Sequence, residues 1–561
     1  MRLPLTIWRF TLRELWRLLV LTAGVLVTVI SFALALRLTA EGRLDPLDTF
    51  KYMFMAMPPM LQYALPFAAG FGATLSYHRM SQDNELKAAA AGGVSHFALL
   101  VPALVSGLIL SAALVVLTGN VIPRFLQSME RMITRDATRI VKSTIDSGRP
   151  LDLAGTLVYA DSVRRVSPER ADGPTDVLVL SRVFALDTDP AGQIRREASA
   201  SQAVVELSPA PADGDGNRGN GFTEVALTLK HASVLDRAEG LITTWESLPV
   251  YAAIPSVFND DPKYLTDAEL RRLPDNPDVL NTIDMRRRDL AYHLAERDVT
   301  TAIDTALRST GAVRMKDEAG RSFTIRAAGL QQGAARWELL PLKNANGKAR
   351  GVEVELKSAA ANGSVNQFTA AAAGLLTDIG KDRTSRRMAL KLEMSDVTLR
   401  GSDTERPGVR ETLSFGGLIP NDNPLPQLLK LSSAQLLDEV ARRDAKSGTD
   451  TYVARPADEL RQRLKRLGRE IVSKQHERLA FSAAGLVMVL AGALSAMRLG
   501  GSMPLTVYLW SFFPALLAVI TIAAGQQMTH RLGTGGLFLL WGGVGVLGIY
   551  SAMAFLTVRR H

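Results

Sequence analysis

Cysteine is absent from all 561 residues, so disulfide staples, thiolate metal sites and cysteine nucleophiles are excluded. No GxxxxGK[ST] phosphate loop occurs anywhere in the chain, so ATP hydrolysis of the P-loop kind must come from another polypeptide. Acidic residues are missing from each of the long apolar runs, which removes the usual mark of a proton-coupled path through a membrane. The seven histidines do not supply a metal site by spacing. His78, His96, His476 and His530 lie near the ends of apolar runs, and none pairs with a carboxylate and a second ligand at recognisable intervals. Enzyme chemistry within the membrane is therefore the weakest reading.

What is present divides into two materials. The chain is 47% hydrophobic with mean hydropathy +0.08 and formal charge +9, high for a soluble protein and low for one built only of membrane helices. Residues Met1 to Arg17 are basic and amphipathic, with Arg2, Arg9, Arg13 and Arg17 set among Trp8, Phe10 and Trp16. Leu18 to Leu36 then runs without a charge, long enough to cross the hydrocarbon. Ala33-Leu34-Ala35 looks like a signal-peptidase site, but the run exceeds a usual signal core and its leader is long. A second uncharged run, Tyr52 to Tyr77, holds Pro58, Pro59 and Pro66 and is expected to kink near its outer end; a third spans Phe97 to Thr118. Three more follow at Leu479 to Met497, Pro504 to Gln526 and Gly535 to Val558. Threading six helices puts the N-terminal arginines, Arg498 and Arg559-Arg560 on one side, which the positive-inside rule makes cytoplasmic.

Between Arg124 and Arg478 nothing is long and apolar enough to span. A helix is expected over Phe125 to Ile145. Strands are expected at Thr156 to Val163, Asp176 to Leu186, Ala198 to Leu207, Thr223 to Val234, Ser322 to Ala328, Gly351 to Leu356 and Met388 to Leu399. Turn clusters at Ala212 to Gly221 and Asn344 to Lys348 punctuate them. Short antiparallel strands of this kind build a sandwich, jelly roll or open barrel. Helical insertions are expected at Thr266 to Thr310 and Ser432 to Arg443, and a last helix at Pro456 to Arg478. The fold class is thus an α+β membrane protein with six transmembrane helices, three and three, and a large extracytoplasmic antiparallel β domain between the third and fourth. The domains are 1–123, 124–478 and 479–561.

The stretch that carries function is the polar island YHRMSQDNELKAAAAGGVS, Tyr77 to Ser95. Ser81 can cap a helix whose first turn holds Asp83 and Glu85, where the positive helix end favours them. Asp83 and Lys87 are spaced for an i,i+4 pair, and Gly92-Gly93 can end the helix. So short a helix, about 81–92, is marginal alone in water and needs something outside it. A solvated re-entry loop is the alternative.

This island, the N-terminal IWRFTLRELW, the external strand-rich segment and the returning HERLAF (His476 to Phe481) together resemble the LptF/LptG permease family of the bacterial lipopolysaccharide exporter. The RMSxDNELxAxxAxG run is the specific part of the resemblance. It implies a non-enzymatic permease half of an ABC transporter in the inner membrane, with no cofactor. The island becomes the coupling helix that docks on a separate LptB-like ATPase, with Arg79, Met80, Asp83, Glu85 and Leu86 in the contact. It also implies pairing with a second LptF/LptG-type subunit, enclosing a cavity for lipopolysaccharide between the first and fifth helices. Arg37, Arg43 and Lys51 lie where cations would meet the phosphates of such a lipid; interfacial anchoring is their other reading. The external domain resembles the family's β-jellyroll, which continues strand to strand into LptC/LptA-like proteins. The segment is longer than one jellyroll needs, mainly through Thr266 to Thr310.

A reading from another class competes with the transporter, a membrane-anchored assembly or sensor protein whose β domain binds a partner without transport. A related transporter option, the MacB/FtsX type of permease, places its large domain after the first helix, whereas three helices precede it here.

Overall fold

The computed structural model describes residues 4–40, 46–134, 145, 148, 150–153, 156–166, 176–188, 194–209, 223–236, 241–254, 261–317, 320–333, 337–343, 349–357, 365–377, 388–401, 408–420, 422–447 and 450–560. It divides into two compact units. One holds residues 1–248, 252–276 and 465–561; the other holds 249–251 and 277–464.

The first unit opens with α1 (Leu5–Ala40), α2 (Pro46–Gln82), the short α3 (Glu85–Ala91) and α4 (His96–Val116). A π-helical turn, Leu117–Val121, joins α4 to α5 (Ile122–Thr134). The basic leader is not a separate element, because α1 continues through it into the apolar run. The face of α1 that packs inward repeats every four residues, Leu15, Leu19, Ala23 and Val27, as a helix period demands. Small side chains let the neighbouring backbones approach: Ala69, Ala73, Ala103, Ala493 and Ala496 are all fully buried with Leu15 and Leu114, the packing expected where lipid rather than water surrounds the helices.

Six strands follow: β1 (Leu151–Leu153), β2 (Thr156–Val166), β3 (Asp176–Thr188), β4 (Ile194–Pro209), β5 (Thr223–Asp236) and β6 (Leu241–Ile254). They form one sheet in chain order, antiparallel throughout the described pairings. Its apolar face is built by Val158, Leu178, Leu180, Val183, Val205 and Leu229, alternate residues as the pleat requires. Arg182 on β3 and His231 on β5 sit in the left-handed region, at φ 49 each. The ladders skip both positions: Ser162↔Ser181 and Ala160↔Val183 flank Arg182, and Gln202↔Lys230 and Ala200↔Ala232 flank His231. Non-glycine residues there cost of order 1 kcal/mol each, so the sheet is bent at one level across several strands.

The first unit also holds the short helix α6 (Asp267–Arg272). The second unit contains α7 (Asn281–Thr310), β7 (Val313–Lys316), β8 (Ser322–Arg326), β9 (Gly329–Gln332), β10 (Trp337–Leu340), β11 (Leu342–Lys343), β12 (Ala349–Lys357), β13 (Val365–Thr377), β14 (Leu390–Gly401) and β15 (Gly408–Pro420). After these come α8 (Leu425–Leu428) and α9 (Ser433–Ser447). The sheet runs β11-β12-β8-β7-β15-β14-β13-β10-β9, and a further pairing of β12 with β13 closes six strands into a ring. Phe415 packs against Phe323 at 5.1 Å and Phe368 at 5.6 Å between ring centroids. In place of one β domain there are two sheets. The insertion expected at Thr266 to Thr310 is also two helices, split where Pro274 and Pro277 cannot continue a helical ladder. Asp304 on α7 accepts from the Leu330 amide at 2.8 Å, and Glu296 accepts from the Trp337 indole at 3.0 Å, so α7 braces β9 and β10.

The chain then forms α10 (Thr451–Arg498), α11 (Pro504–Leu532) and α12 (Gly536–Arg560). The expected helix at Pro456 to Arg478 and the apolar run after it are one 48-residue helix. Pro456 lies inside it, in the second turn, where it leaves the Tyr452 carbonyl without the amide partner a helix would supply. Among the described residues, four stretches are long and apolar enough to cross a membrane: Leu5–Ala40, His96–Met129, Tyr452–Arg498 and Leu505–Val558, the last containing both α11 and α12. The second expected span is a continuous helix, α2, but falls outside these four. Its three prolines, with Gln62, Gly70, Gly72 and three tyrosines, dilute its apolar content.

Candidate functional site

The polar island lies at one end of the helix bundle, and four neighbouring segments gather around it. Trp8 on α1 donates its indole N–H to the Ala98 carbonyl at 2.8 Å. Tyr77 on α2 donates its hydroxyl to the Leu99 carbonyl at 2.8 Å. Arg79 pairs with Glu14 of α1 at 3.3 Å. Met497 of α10 packs on the apolar cluster of Met80, Leu86 and Leu99, and Gly500 lies so close to Ser81 that a Cβ there would collide with the serine hydroxyl.

The helix is shorter than the sequence suggests. Ser81 is still inside the last turn of α2, so it caps nothing. Asn84 instead takes the left-handed conformation, φ 55, and makes no side-chain cap bond. Asparagine tolerates that region better than most residues, which is how the chain breaks between α2 and α3. The expected Asp83–Lys87 pair is replaced by Asp83 with Arg79 at 3.9 Å. The end lies at the two glycines: the Gly92 amide bonds back to Ala88 at 3.0 Å and Gly93 takes φ 82.

The five residues expected to meet a partner divide by burial. Arg79, Asp83 and Glu85 are exposed. Met80 and Leu86 are not: they are 5% and 8% exposed and belong to the cluster that holds α3 down. The support that so short a helix needs is therefore supplied within the chain, by α1, α2, α4 and α10. Gln82, Asp83, Asn84, Glu85, Lys87 and Ala88 remain as its open face. Sequence reasoning missed Glu14 and Met497 as parts of this site. Glu14 sits in the RELW run, but nothing local pairs it with a residue 65 positions away.

At the opposite end of the α1–α2 pair, Arg37 is exposed in the last turn of α1 and Lys51 in the first turns of α2. They flank a hydroxyl contact of 2.7 Å between Thr39 and Thr49. Lys51 lies 3.8 Å from Asp48. Arg43 lies outside the described residues. Along the bundle side, α11 and α12 form an apolar pocket of about 460 Å³ lined by Leu509, Trp510, Phe513, Leu517, Val546 and Tyr550, among others. The outward face of α1 is apolar too, with Val20, Leu21, Val25, Val29 and Phe32 exposed by more than half.

Residues 9–218 match the family model of the lipopolysaccharide export system permease LptF/LptG. The resemblance read from the island thus holds over α1 to α5 and the first strands of the six-stranded sheet. That family is a component of a transporter, and the match covers less than half of this chain; the long apolar helices agree with a multi-pass membrane protein. The ring-closing strands of the second unit fall beyond the matched residues. No curated protein matches the chain.

Proposed function

We propose that this chain is the permease subunit of an ABC transporter that extracts lipopolysaccharide, or a similar amphipathic lipid, from the inner membrane and passes it to a periplasmic β-strand bridge. The observation that carries the reading is α3: its apolar side is held by Met80, Leu86 and Leu99, while Asp83, Glu85 and Lys87 face outward. A helix anchored on one side by its own chain, with an open charged side, is built to receive a push rather than to fray. The island is then the coupling helix. Arg79, Asp83 and Glu85 form the contact with an LptB-like ATPase, and Met80 and Leu86 act as the anchors behind it.

The remaining parts follow from the same reading. All six long helices cross the membrane, α2 included, because neighbours cover its less apolar side. Both termini and α3 are cytoplasmic, and the strand units are periplasmic. A second LptF/LptG-type subunit covers the apolar face of α1 and the pocket on α11, enclosing the acyl chains. Arg37, Arg43 and Lys51 meet lipid phosphates. The sheet β1–β6 serves as the jellyroll-like bridge element toward LptC/LptA-like partners. A membrane-anchored assembly protein is the second reading, favoured by the compact unit at 277–464, which lies beyond the family match.

The test is a pull-down of the full chain from its native membranes, wild type beside Glu85→Lys. Glu85 is exposed, so the variant should insert and fold normally. Capture of an ABC-type ATPase by wild type and its loss from the variant is the expected result. Equal recovery with both, or with neither, refutes the coupling assignment.

A further inference from the structure

The HERLAF run does more than mark the return to the membrane. Arg478, its third residue, is only 6% exposed. It donates one guanidinium nitrogen to the Asp267 carboxylate and the other to the Leu265 carbonyl at 2.6 Å. A guanidinium removed from water is tolerated only when its donors are engaged in this way. Asp267 opens α6, which is held rigid by a capping box: the Thr266 amide donates to Glu269 at 2.8 Å and the Glu269 amide returns to Thr266. Leu270 of α6 and Leu273 just after it are buried.

The other side of the same carboxylate rests on the turn that follows α4. A Cβ at Gly119 would collide with the Asp267 carboxylate as it is placed here, so any other residue there would have to push it aside. Gly119 lies in the π-helical turn Leu117–Val121, a geometry that is rare and concentrates at functional positions. Gln127 on α5 adds a bond to the Tyr264 carbonyl at 2.7 Å. Residues 264–267 are therefore gripped from two helices at once, α4–α5 and α10. The other end of that α10 segment is Met497, in the cluster under α3. Arg478 and Met497 are about 28 Å apart along one unbroken helix.

We propose that Arg478 and Asp267, seated on Gly119, form a latch through which α3 and the chain at 264–272 move together along α10. Arg478 is then a positioning residue for lipid transfer, a role that rests on the transport reading above. A rise or tilt of α10 that starts at α3 carries Asp267 with it, because the Arg478 guanidinium holds both the Asp267 carboxylate and the Leu265 carbonyl.

The test is hydrogen exchange on the full-length chain in lipid nanodiscs, wild type against Asp267→Asn and Arg478→Lys. Asp267→Asn keeps the shape and removes the charge. Exchange should quicken at Leu270 and Leu273 and also, about two- to thirtyfold, at Ala88 and Gly92 in and after α3. Faster exchange confined to residues 261–276 makes the contact a local brace and overturns the latch. No change at either place also overturns it. Should Asp267→Asn lose protection everywhere, Arg478→Lys decides the matter, since lysine keeps the charge but cannot hold Asp267 and Leu265 together. A response at α3 with no ATPase recovered in the pull-down keeps the latch and removes the transport reading.

Discussion

Truncating Leu86 should detach α3 without unfolding the bundle. The side chain is 8% exposed and packs with Met80 and Leu99, with Ile7, Ala89, Val94 and Met497 around them. Buried Leu→Ala changes cost about 2–5 kcal/mol, less where the site can collapse. The rim of this cluster is partly open, so the lower part of that range applies, about 2.5 kcal/mol, or roughly seventyfold in the docked-to-undocked ratio of α3. A seven-residue helix has no stability of its own to offset the loss. In Leu86→Ala, the amides of Ala88 and Gly92, which bond to the Asn84 and Ala88 carbonyls at 2.9 and 3.0 Å, should exchange tens of times faster. The Tyr77–Leu99 and Trp8–Ala98 bonds should persist, because they join other helices. The assay is residue-resolved hydrogen exchange in nanodiscs, with ATPase capture measured on the same sample. Protection at Ala88 and Gly92 within about threefold of wild type would refute the anchoring argument, since even the low end of the range exceeds it.

Two further outcomes are expected. Replacing Arg37 and Lys51 together with glutamine should weaken binding of a phosphorylated lipid by about thirtyfold, at roughly 1 kcal/mol per cation near a charged surface; unchanged binding in a flotation assay returns both to interfacial anchoring. In the second unit, the hydrogen bond from Arg443 holds the Glu439 carboxyl below its ordinary range, burial opposing and the nearby cations assisting. A carboxyl depressed in the folded state contributes stability above its unfolded pKa and loses it as the pH falls through the folded one. Thermal stability of the chain should therefore drop below about pH 4.5, and Glu439→Gln should lower stability at neutral pH and flatten that acid-side slope.

Some of this protein was legible without coordinates because the signals are local. Apolar length marks four stretches directly. Strands rich in Val, Leu and Thr with alternating burial, such as β2, β3, β12 and β14, declare themselves by period. The stop of α3 at Gly92-Gly93 follows from the freedom of glycine to take the φ 82 seen at Gly93. Other elements ran against their local preference. β13 contains FTAAAAGLL, alanine-rich and helix-favouring, yet it is a strand because β12, β14 and β10 all supply backbone partners for it. Ser81 is a good cap by type, but α2 does not end there.

Composition and periodicity alone thus determined the membrane character, the strand-rich middle and the position of the charged island, since each depends on residues near one another in the chain. Only the tertiary structure decided that Met80 and Leu86 face inward while Glu85 faces out, and that α10 is one rod. It alone joined Arg478 to Asp267 across 211 positions. Those facts depend on which helix stands next to which, and no local pattern carries that information.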